Sequence, residues 1–455
     1  MKSMVGQRVV VVGLGRSGVA AARLCARQGA QVVATDSAPR DRLSDAAKAL
    51  PTEGIEIVTG GHAAARLSDA SLIVISPGVP SFEELERAEA AGVPVIGEIE
   101  LAWRFLPDVP VTAITGSNGK STTVTLVGAL LEALGARPFV GGNLGEPPCD
   151  IVPQPGGPSS FDYGAVVLEI SSFQAERVPT FRPRRAALLN VSENHLDRYN
   201  GFDDYVAAKG NLFSHQQAGD VAVVPADDPR CVAQARRGRG DIVTFGTSRD
   251  AGAAYVYDRE HVIDRARDVR YSRADIRLAG DHNALNVCAS LALIADRDPD
   301  PELVRQVLAS FAGLPHRIVR VTTASGVAYY DDSKGTNVGA TVAAVRGLSE
   351  ERVVLIAGGR DKQGSYEPLA RALAERGRAA VLIGEAADKI AAAIGDAVPV
   401  ERASSMEDAV AIAARFAQPG DAVLLSPACS SFDMFRDYKH RGDAFVDAAK
   451  SLSRA

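Results

Sequence analysis

Short apolar runs alternate with longer stretches of helical period almost throughout the chain, which predicts an α/β protein built on parallel sheets. The valines at 9–12 predict a first strand, since the run is too short and has the wrong exit for a secretory segment. A glycine-rich turn and an alanine-rich helix over 19–28 follow. Further strands are predicted at 31–35, 71–76 and 93–96, and the two prolines within 104–110 suggest a linker. The pattern restarts with a strand at 111–115 and a helix at 120–134. Strands at 165–170 and 186–191 and helices at 204–213 and 282–295 continue it. Residues 236–277 are charged and weakly patterned, a candidate β-rich excursion. From 314 onward the apolar runs 353–357, 380–383, 398–400 and 422–425 alternate with helical stretches in another doubly wound pattern. The expected organisation is three domains, 1–105, 106–313 and 314–455.

Composition narrows the class. The 455 residues are 46% hydrophobic and 23% charged, enough apolar material for a core in each block, which sets aside disorder and collagen-like architecture. A net charge of −6 gives no footprint for nucleic acid or an anionic membrane, although a small anion can still be held locally. No apolar run approaches the ~18 residues that a membrane span needs. The five cysteines show no CxxC spacing, which argues against a disulfide framework or zinc ribbon and suits a reducing cytoplasm.

Several segments carry chemistry. Gly13-Leu14-Gly15-Arg16-Ser17-Gly18 follows a strand and opens a helix, and Asp36 ends the next strand. That arrangement matches a dinucleotide fingerprint, yet the same turn cradles any nucleotide diphosphate or serves as a bare βα turn. The stronger signal is Thr115-Gly116-Ser117-Asn118-Gly119-Lys120-Ser121-Thr122 between a strand and a helix. There Lys120 would neutralise β/γ-phosphates and the Ser121 hydroxyl would ligate Mg²⁺, although the spacing departs from the full Walker pattern. Glu169 ends a buried strand, where a carboxylate is either a metal ligand or a solvated strand-end acid. His195 follows another strand among acids and does not by itself make a metal site. Tyr330-Asp331-Asp332-Ser333-Lys334-Gly335-Thr336-Asn337 is a dense polar turn. Cys429 ends a strand without a histidine partner and reads as a packing residue. The charge run 436–441 reads as a helix face.

In order along the chain, GLGRSG, TGSNGKST, GGNLG, LEISSFQ, NVSENHLDRY, AAKGNLF, GDHNALN, GLPHR, DDSKGTN, GGRDKQG and SPACSSF resemble the Mur ligases of peptidoglycan synthesis. The likeness covers essentially the whole chain. It implies a Rossmann-like N-terminal domain for the UDP end of the precursor, a central P-loop ATPase-like domain, and a Rossmann-like C-terminal domain receiving the amino acid. The branch resembled joins D-glutamate to UDP-N-acetylmuramoyl-L-alanine, using ATP and an acyl phosphate. A cytoplasmic monomer serving cell-wall growth, cell shape and division is therefore expected, with no nucleic-acid or membrane partner.

By the same resemblance, Arg16, Ser17, Asp36, Ser37, Gly78, Asn143 and Ser171 would hold the UDP-precursor. ATP would meet Gly116, Asn118, Gly119, Lys120, Ser121, Thr122, Asn283, Asn286, His316, Arg317 and Asp332. The amino acid would meet Lys334, Thr336, Lys362, Ser431 and Phe432, with Tyr438 packing nearby. Two Mg²⁺ ions would be held through Ser121, Glu169, His195 and Lys209, the last as a carbamate. Lys120, Glu169, His195 and Lys209 would carry the catalysis. An NAD-dependent oxidoreductase leaves 115–122 unexplained, and a non-catalytic nucleotide-binding regulator leaves Glu169, His195 and Lys209 without purpose. Another amide ligase of the superfamily is the nearest alternative. The diaminopimelate-adding branch carries an Asp-Asn-Pro-Arg motif that the chain lacks.

Overall fold

The computed structural model describes residues 3–156, 161–194, 198–361 and 365–452. Three sheets follow one another along the chain. The first has the order β3-β2-β1-β4-β5, with β1 Arg8–Val12, β2 Gln31–Asp36, β3 Glu56–Thr59, β4 Leu72–Ile75 and β5 Val95–Gly97, all parallel. Val9 and Val11 pack into one core and Val10 and Val12 into the core behind it. Successive side chains of a strand point to opposite faces, so four valines in a row require apolar layers on both sides. The pattern predicted four strands here and there are five. β3 escapes it because none of its residues is fully buried.

The second sheet has nine strands, in the order β14-β13-β12-β11-β10-β9-β6-β8-β7. Its centre is β6 Val111–Thr115, flanked by β8 Ala165–Glu169 and β9 Arg185–Leu188, with β7 Pro138–Gly142 at one edge. β10 Val221–Pro225 and β11 Asp241–Thr247 continue the parallel sheet. The weakly patterned stretch becomes β11 together with β12 Tyr255–Tyr257, β13 His261–Asp264 and β14 Val269–Ser272, the last two joining as an antiparallel meander. The helices Lys120–Ala133 and Asp281–Ile294 cover one face, and both are buried almost all round. Phe181, Leu212, Phe213 and Cys231 fill the other.

The third sheet is β15-β16-β20-β17-β18-β19. It comprises β15 Val319–Ala324, β16 Val327–Asp331, β17 Val353–Gly358, β18 Gly377–Ile383, β19 Val400–Arg402 and β20 Ala422–Leu425. Only β15 runs antiparallel to its neighbour. Among the described residues no helix is long and apolar enough to cross a membrane.

Two local expectations are corrected. The linker predicted from Arg104 is shorter, because the helix Glu98–Phe105 runs into it and buries Leu101, Ala102 and Phe105 in the first core. The charge run 436–441 is only partly a helix face: Arg436 and Asp437 precede the helix Tyr438–Leu452 and are exposed, as is Lys439, whereas Arg441 is wholly buried. Its guanidinium donates to the Ser333 hydroxyl (3.0 Å), the Ser333 carbonyl (2.8 Å) and the Cys429 carbonyl (3.3 Å), so backbone dipoles of two distant loops replace its water. Cys429 is buried, as expected of a packing residue.

Candidate active site

The phosphate-loop segment spans the gap between β6 and the helix Lys120–Ala133, at the carboxyl end of the central strand. Gly116 (φ 151°) and Gly119 (φ 82°) take conformations that side chains disfavour. A Cβ on Gly119 would lie 2.4 Å from the Asn286 amide oxygen, so the loop and the Asp281–Ile294 helix need glycine to approach this closely. Lys120 Nζ folds back onto the carbonyls of Gly116 (2.8 Å) and Ser117 (3.0 Å). Burial holds its pKa below the ordinary lysine value, with Glu169 opposing the shift and Arg317 adding to it.

Glu169 is where three segments meet. Its Oε2 accepts from the Ser121 hydroxyl (2.5 Å) and its Oε1 from the Asn143 amide (2.7 Å). Arg317, from beyond the second sheet, donates to Ser121 Oγ at 2.7 Å. The strand-end acid is therefore buried and ligated by side chains rather than solvated. Hydroxyl and carboxylate oxygens at this spacing suit Mg²⁺, which takes one or two carboxylates and completes its shell with water and substrate phosphate. Among the described residues no group of three His, Cys, Asp or Glu side chains could hold a metal alone.

Lys209 lies beneath this cluster, fully buried in the helix Phe202–Gly210. Its Nζ is 3.0 Å from the Gly116 carbonyl and 3.4 Å from Thr115 Oγ1, over the Tyr205 ring at 4.6 Å. Burial, and then the charge of Lys120, push its pKa well below the usual lysine range, with Glu169 opposing the shift. The Tyr205 hydroxyl in turn meets Ser117 Oγ at 3.0 Å, tying this helix to the phosphate loop.

A cleft of about 620 Å³ opens above the loop. Asn118, Gly119, Thr122, Asn283, Asn286, Arg317, Asp332 and Lys334, all named from the sequence, line it. Burial raises the Asp332 pKa to about 7 against the opposing hydrogen bond from Ser426. His316 bonds Asp331 at 2.6 Å in a left-handed conformation (φ 61°), which aims the adjacent Arg317 back at Ser121. The Lys334 ammonium sits 3.9 Å over the Tyr438 ring, Ser431 is buried and Phe432 is 65% exposed. Thr336 follows Lys334 in the same turn, its N–H donating to the Lys334 carbonyl at 2.8 Å.

A second cleft, about 580 Å³, lies between the first and second sheets and is lined by Gly78, Glu98, Phe173, Gln174, Arg198 and Tyr199, among others. Ser171 caps the short helix Ser172–Ala175 beside it. Asp36 does not face solvent as a free acid: its carboxylate accepts from Leu14 N (2.7 Å) and Ala38 N (2.8 Å), binding the glycine turn to the next loop. Arg16 is exposed at the start of its helix, with Ser17 half-buried beside it, and Ser37 follows Asp36. His195 and Lys362 lie outside the described residues. The sequence reading missed Asp228, Arg230, Phe245 and His282, which also line the larger cleft. The Asp-Asp-Pro turn after a valine run signalled Asp228, and His282 lay inside the GDHNALN segment.

The chain belongs to the Mur ligase family. Family models for a Mur ligase MurD-like N-terminal domain, a Mur ligase middle domain and a Mur ligase glutamate ligase domain match residues 7–97, 114–294 and 316–429. The chain is 45% identical to the UDP-N-acetylmuramoylalanine--D-glutamate ligase of Syntrophotalea carbinolica, over 98% of both chains. It is 44% identical to the enzyme of the same name from Geobacter metallireducens, again over 98% of each. Among solved structures, the MurF ligase of Thermotoga maritima in complex with ADP superposes with a TM-score of 0.62 at 18% identity, covering 100% of this chain and 99% of that one. The UDP-N-acetylmuramate-alanine ligase of the same organism gives 0.55 at 20% identity, covering 98% and 99%. These structures share the three-domain fold.

Proposed function

We propose that the chain joins D-glutamate to UDP-N-acetylmuramoyl-L-alanine with hydrolysis of ATP to ADP and phosphate, in peptidoglycan precursor synthesis. It is an ATP-dependent ligase. The observation that carries the chemistry is the Glu169 carboxylate, held by Asn143 and Ser121 and reached through Ser121 by Arg317. The choice of amino acid and precursor rests on the likeness to the two named relatives over nearly the full chain.

The precursor carboxylate attacks the γ-phosphorus of ATP and ADP leaves; the glutamate amine then displaces phosphate from the acyl phosphate. Both partners of the first step are anionic, so the chain's task is to neutralise and align them. We assign Lys120 to the β/γ-phosphates, with the backbone of Gly116, Asn118, Gly119 and Thr122 around them. Asn283, Asn286, His316, Arg317 and Asp332 would hold the rest of the nucleotide. Ser121 and Glu169 would hold one Mg²⁺, and His195 with a carbamylated Lys209 a second; such ions screen charge between the reacting oxygens. Carbamylation needs a neutral amine: Lys209 Nζ bonds to the carbon of CO₂ and releases a proton, which its lowered pKa favours. Arg16, Ser17, Asp36, Ser37, Gly78, Asn143 and Ser171 would take the precursor. Lys334, Thr336, Lys362, Ser431 and Phe432 would take glutamate. Domains dividing at 105/106 and 313/314 and a monomeric, cytoplasmic enzyme complete the proposal.

The deciding experiment is phosphate release by the purified chain with ATP, UDP-N-acetylmuramoyl-L-alanine and a panel of amino acids of both hands. Release dependent on D-glutamate is expected. Release that prefers L-alanine or a diamino acid would reassign the chain within its family.

A further inference from the structure

The residue Glu98 lies outside the reacting groups and is nonetheless connected to them. It is the first residue of the helix Glu98–Phe105, in the first block, and is 1% exposed. Its Oε1 accepts from the backbone N–H of Cys149 at 2.9 Å. The Cys149 carbonyl accepts from Arg27 of the first block at 3.0 Å. Cys149 and Val152 follow β7 of the second sheet in sequence but pack inside the first block's core, with Leu24, Cys25, Leu101 and Phe105. The first block thus grips a segment of the second by side-chain bonds at its N–H and its C=O and by burial of its side chains.

What that segment leads back to is the site. Cys149 stands six residues after Asn143 in the sequence, across a tight turn closed by Gly142 N–H to the Glu146 carbonyl (2.9 Å). Asn143 N–H donates to the Glu169 carbonyl (2.8 Å), and its side-chain amide donates to Glu169 Oε1 (2.7 Å). Gly142 allows this approach: a Cβ there would meet the Glu169 carbonyl oxygen at 2.5 Å. One path of bonds and short covalent steps therefore runs from Glu98 through Cys149 and Asn143 to Glu169, Ser121 and Arg317, touching all three blocks. A turn anchored at one end only would leave the Asn143 amide free to swing.

The geometry points to Glu98 as a positioning residue for the proposed ligase reaction, one that fixes the Asn143 turn, and through it the precursor carboxylate, by accepting the Cys149 N–H. This rests on the function proposed above, in which Asn143 contacts the precursor. Glu98→Gln keeps an acceptor oxygen and the side-chain volume, whereas Glu98→Met keeps volume and loses the acceptor.

The test has two readouts. In wild type, Glu98→Gln and Glu98→Met, backbone hydrogen exchange is followed in peptides spanning 140–150, together with separate KM values for UDP-N-acetylmuramoyl-L-alanine and ATP. Glu98→Met should speed exchange in that segment at least tenfold and raise the precursor KM about tenfold with the ATP KM within twofold. Glu98→Gln should match wild type in both. Unchanged exchange in Glu98→Met overturns the tether, and equal rises in both KM values reduce Glu98 to general stability. If Glu98→Met does not fold, Arg27→Met loosens the same segment from its carbonyl side and should shift exchange and precursor KM in the same direction. No turnover by wild type with this precursor would sink the functional reading alone, since the exchange result stands without it.

Discussion

The seam between the first and second blocks and the seam between the second and third are built differently. Across the first, Gly97 N–H donates to the Arg177 carbonyl (2.8 Å), Thr180 N–H to Glu100 (3.0 Å), Trp103 to the Thr180 carbonyl (3.2 Å), and Arg177 pairs with Glu89. Cys149 and Val152 cross it into the neighbouring core, and Ile99 crosses the other way. Each fully buried aliphatic side chain of this kind contributes ~1.5–3 kcal/mol, so separating these blocks is costly. Across the second seam lies a cleft bridged by polar contacts, Arg317 to Ser121 (2.7 Å) and Asn337 to Asn118 (3.1 Å). A neutral contact of that sort contributes ~0.5–1.5 kcal/mol and one from a charged group ~1.5–3 kcal/mol, and both can be exchanged for bonds to water. The first seam fixes a platform and the second can open to admit and release substrates.

The contrast breaks most sharply if the cleft side is disarmed and the platform stays intact. Lys120→Ala should cost at least ~10²–10³ in turnover, the usual loss for a group stabilising charge in the transition state. Calorimetric binding of the UDP-precursor, which this scheme gives to the platform side, should change little. Retained turnover in the purified variant would remove Lys120 from the phosphate site. Lys209→Ala comes next, at roughly 10²-fold, because the carbamate anion proposed to hold the second ion would be lost. Acetate should restore part of that rate. Wild-type activity in CO₂-depleted buffer would show that Lys209 works unmodified.

A smaller effect concerns geometry. Ligands should change the angle between the second and third blocks and leave the first seam alone, which distance measurements with spin labels on each block will read. His282 marks the closing surface. Its ring is half-buried with Nδ1 shut off from solvent, burial lowers its pKa to about 4, and a Cβ on Gly347 of the third block would sit 3.1 Å from that Nδ1. Gly347→Val should therefore resist closure and lower kcat about tenfold. An unchanged kcat with unchanged interblock distances would mean that the two surfaces never meet this closely during turnover.

Much of the platform and the phosphate loop was legible because their signals are local. β6 and β20 occur where the apolar runs predicted them, since a strand buried on both faces is apolar at most of its positions. β7, Pro-Phe-Val-Gly-Gly, hides behind its proline and glycines, and β15 is half-exposed at an antiparallel edge. Arg441 and Glu98 were missed for a related reason. Their partners, Ser333 and Cys149, are 108 and 51 residues away, and nothing within a helical turn says that either charge points inward. Asp36 was legible in position and not in its bonding: its carboxylate also accepts from the backbone of Leu14 in the glycine turn and of Ala38 in the following loop.

The smallest expected effect sharpens the platform side of the comparison. Burial raises the Glu98 pKa to about 7 from its ordinary 4.5, partly offset by the Cys149 N–H, while Asp150 adds to the rise. The folded chain then binds more protons than the unfolded one between these values, so stability falls as pH rises through that window. Nearly the whole shift would be felt above pH 8, and the loss between pH 5.5 and pH 8 amounts to about 2 kcal/mol by linkage. Glu98→Gln has no proton to lose. Its melting temperature relative to wild type should therefore rise by a few degrees between pH 5.5 and pH 8, at ~2–4 °C per kcal/mol for a domain of this size. A pH-independent difference between the two proteins would mean that Glu98 is already ionised in the folded state, with its free oxygen Oε2 hydrated.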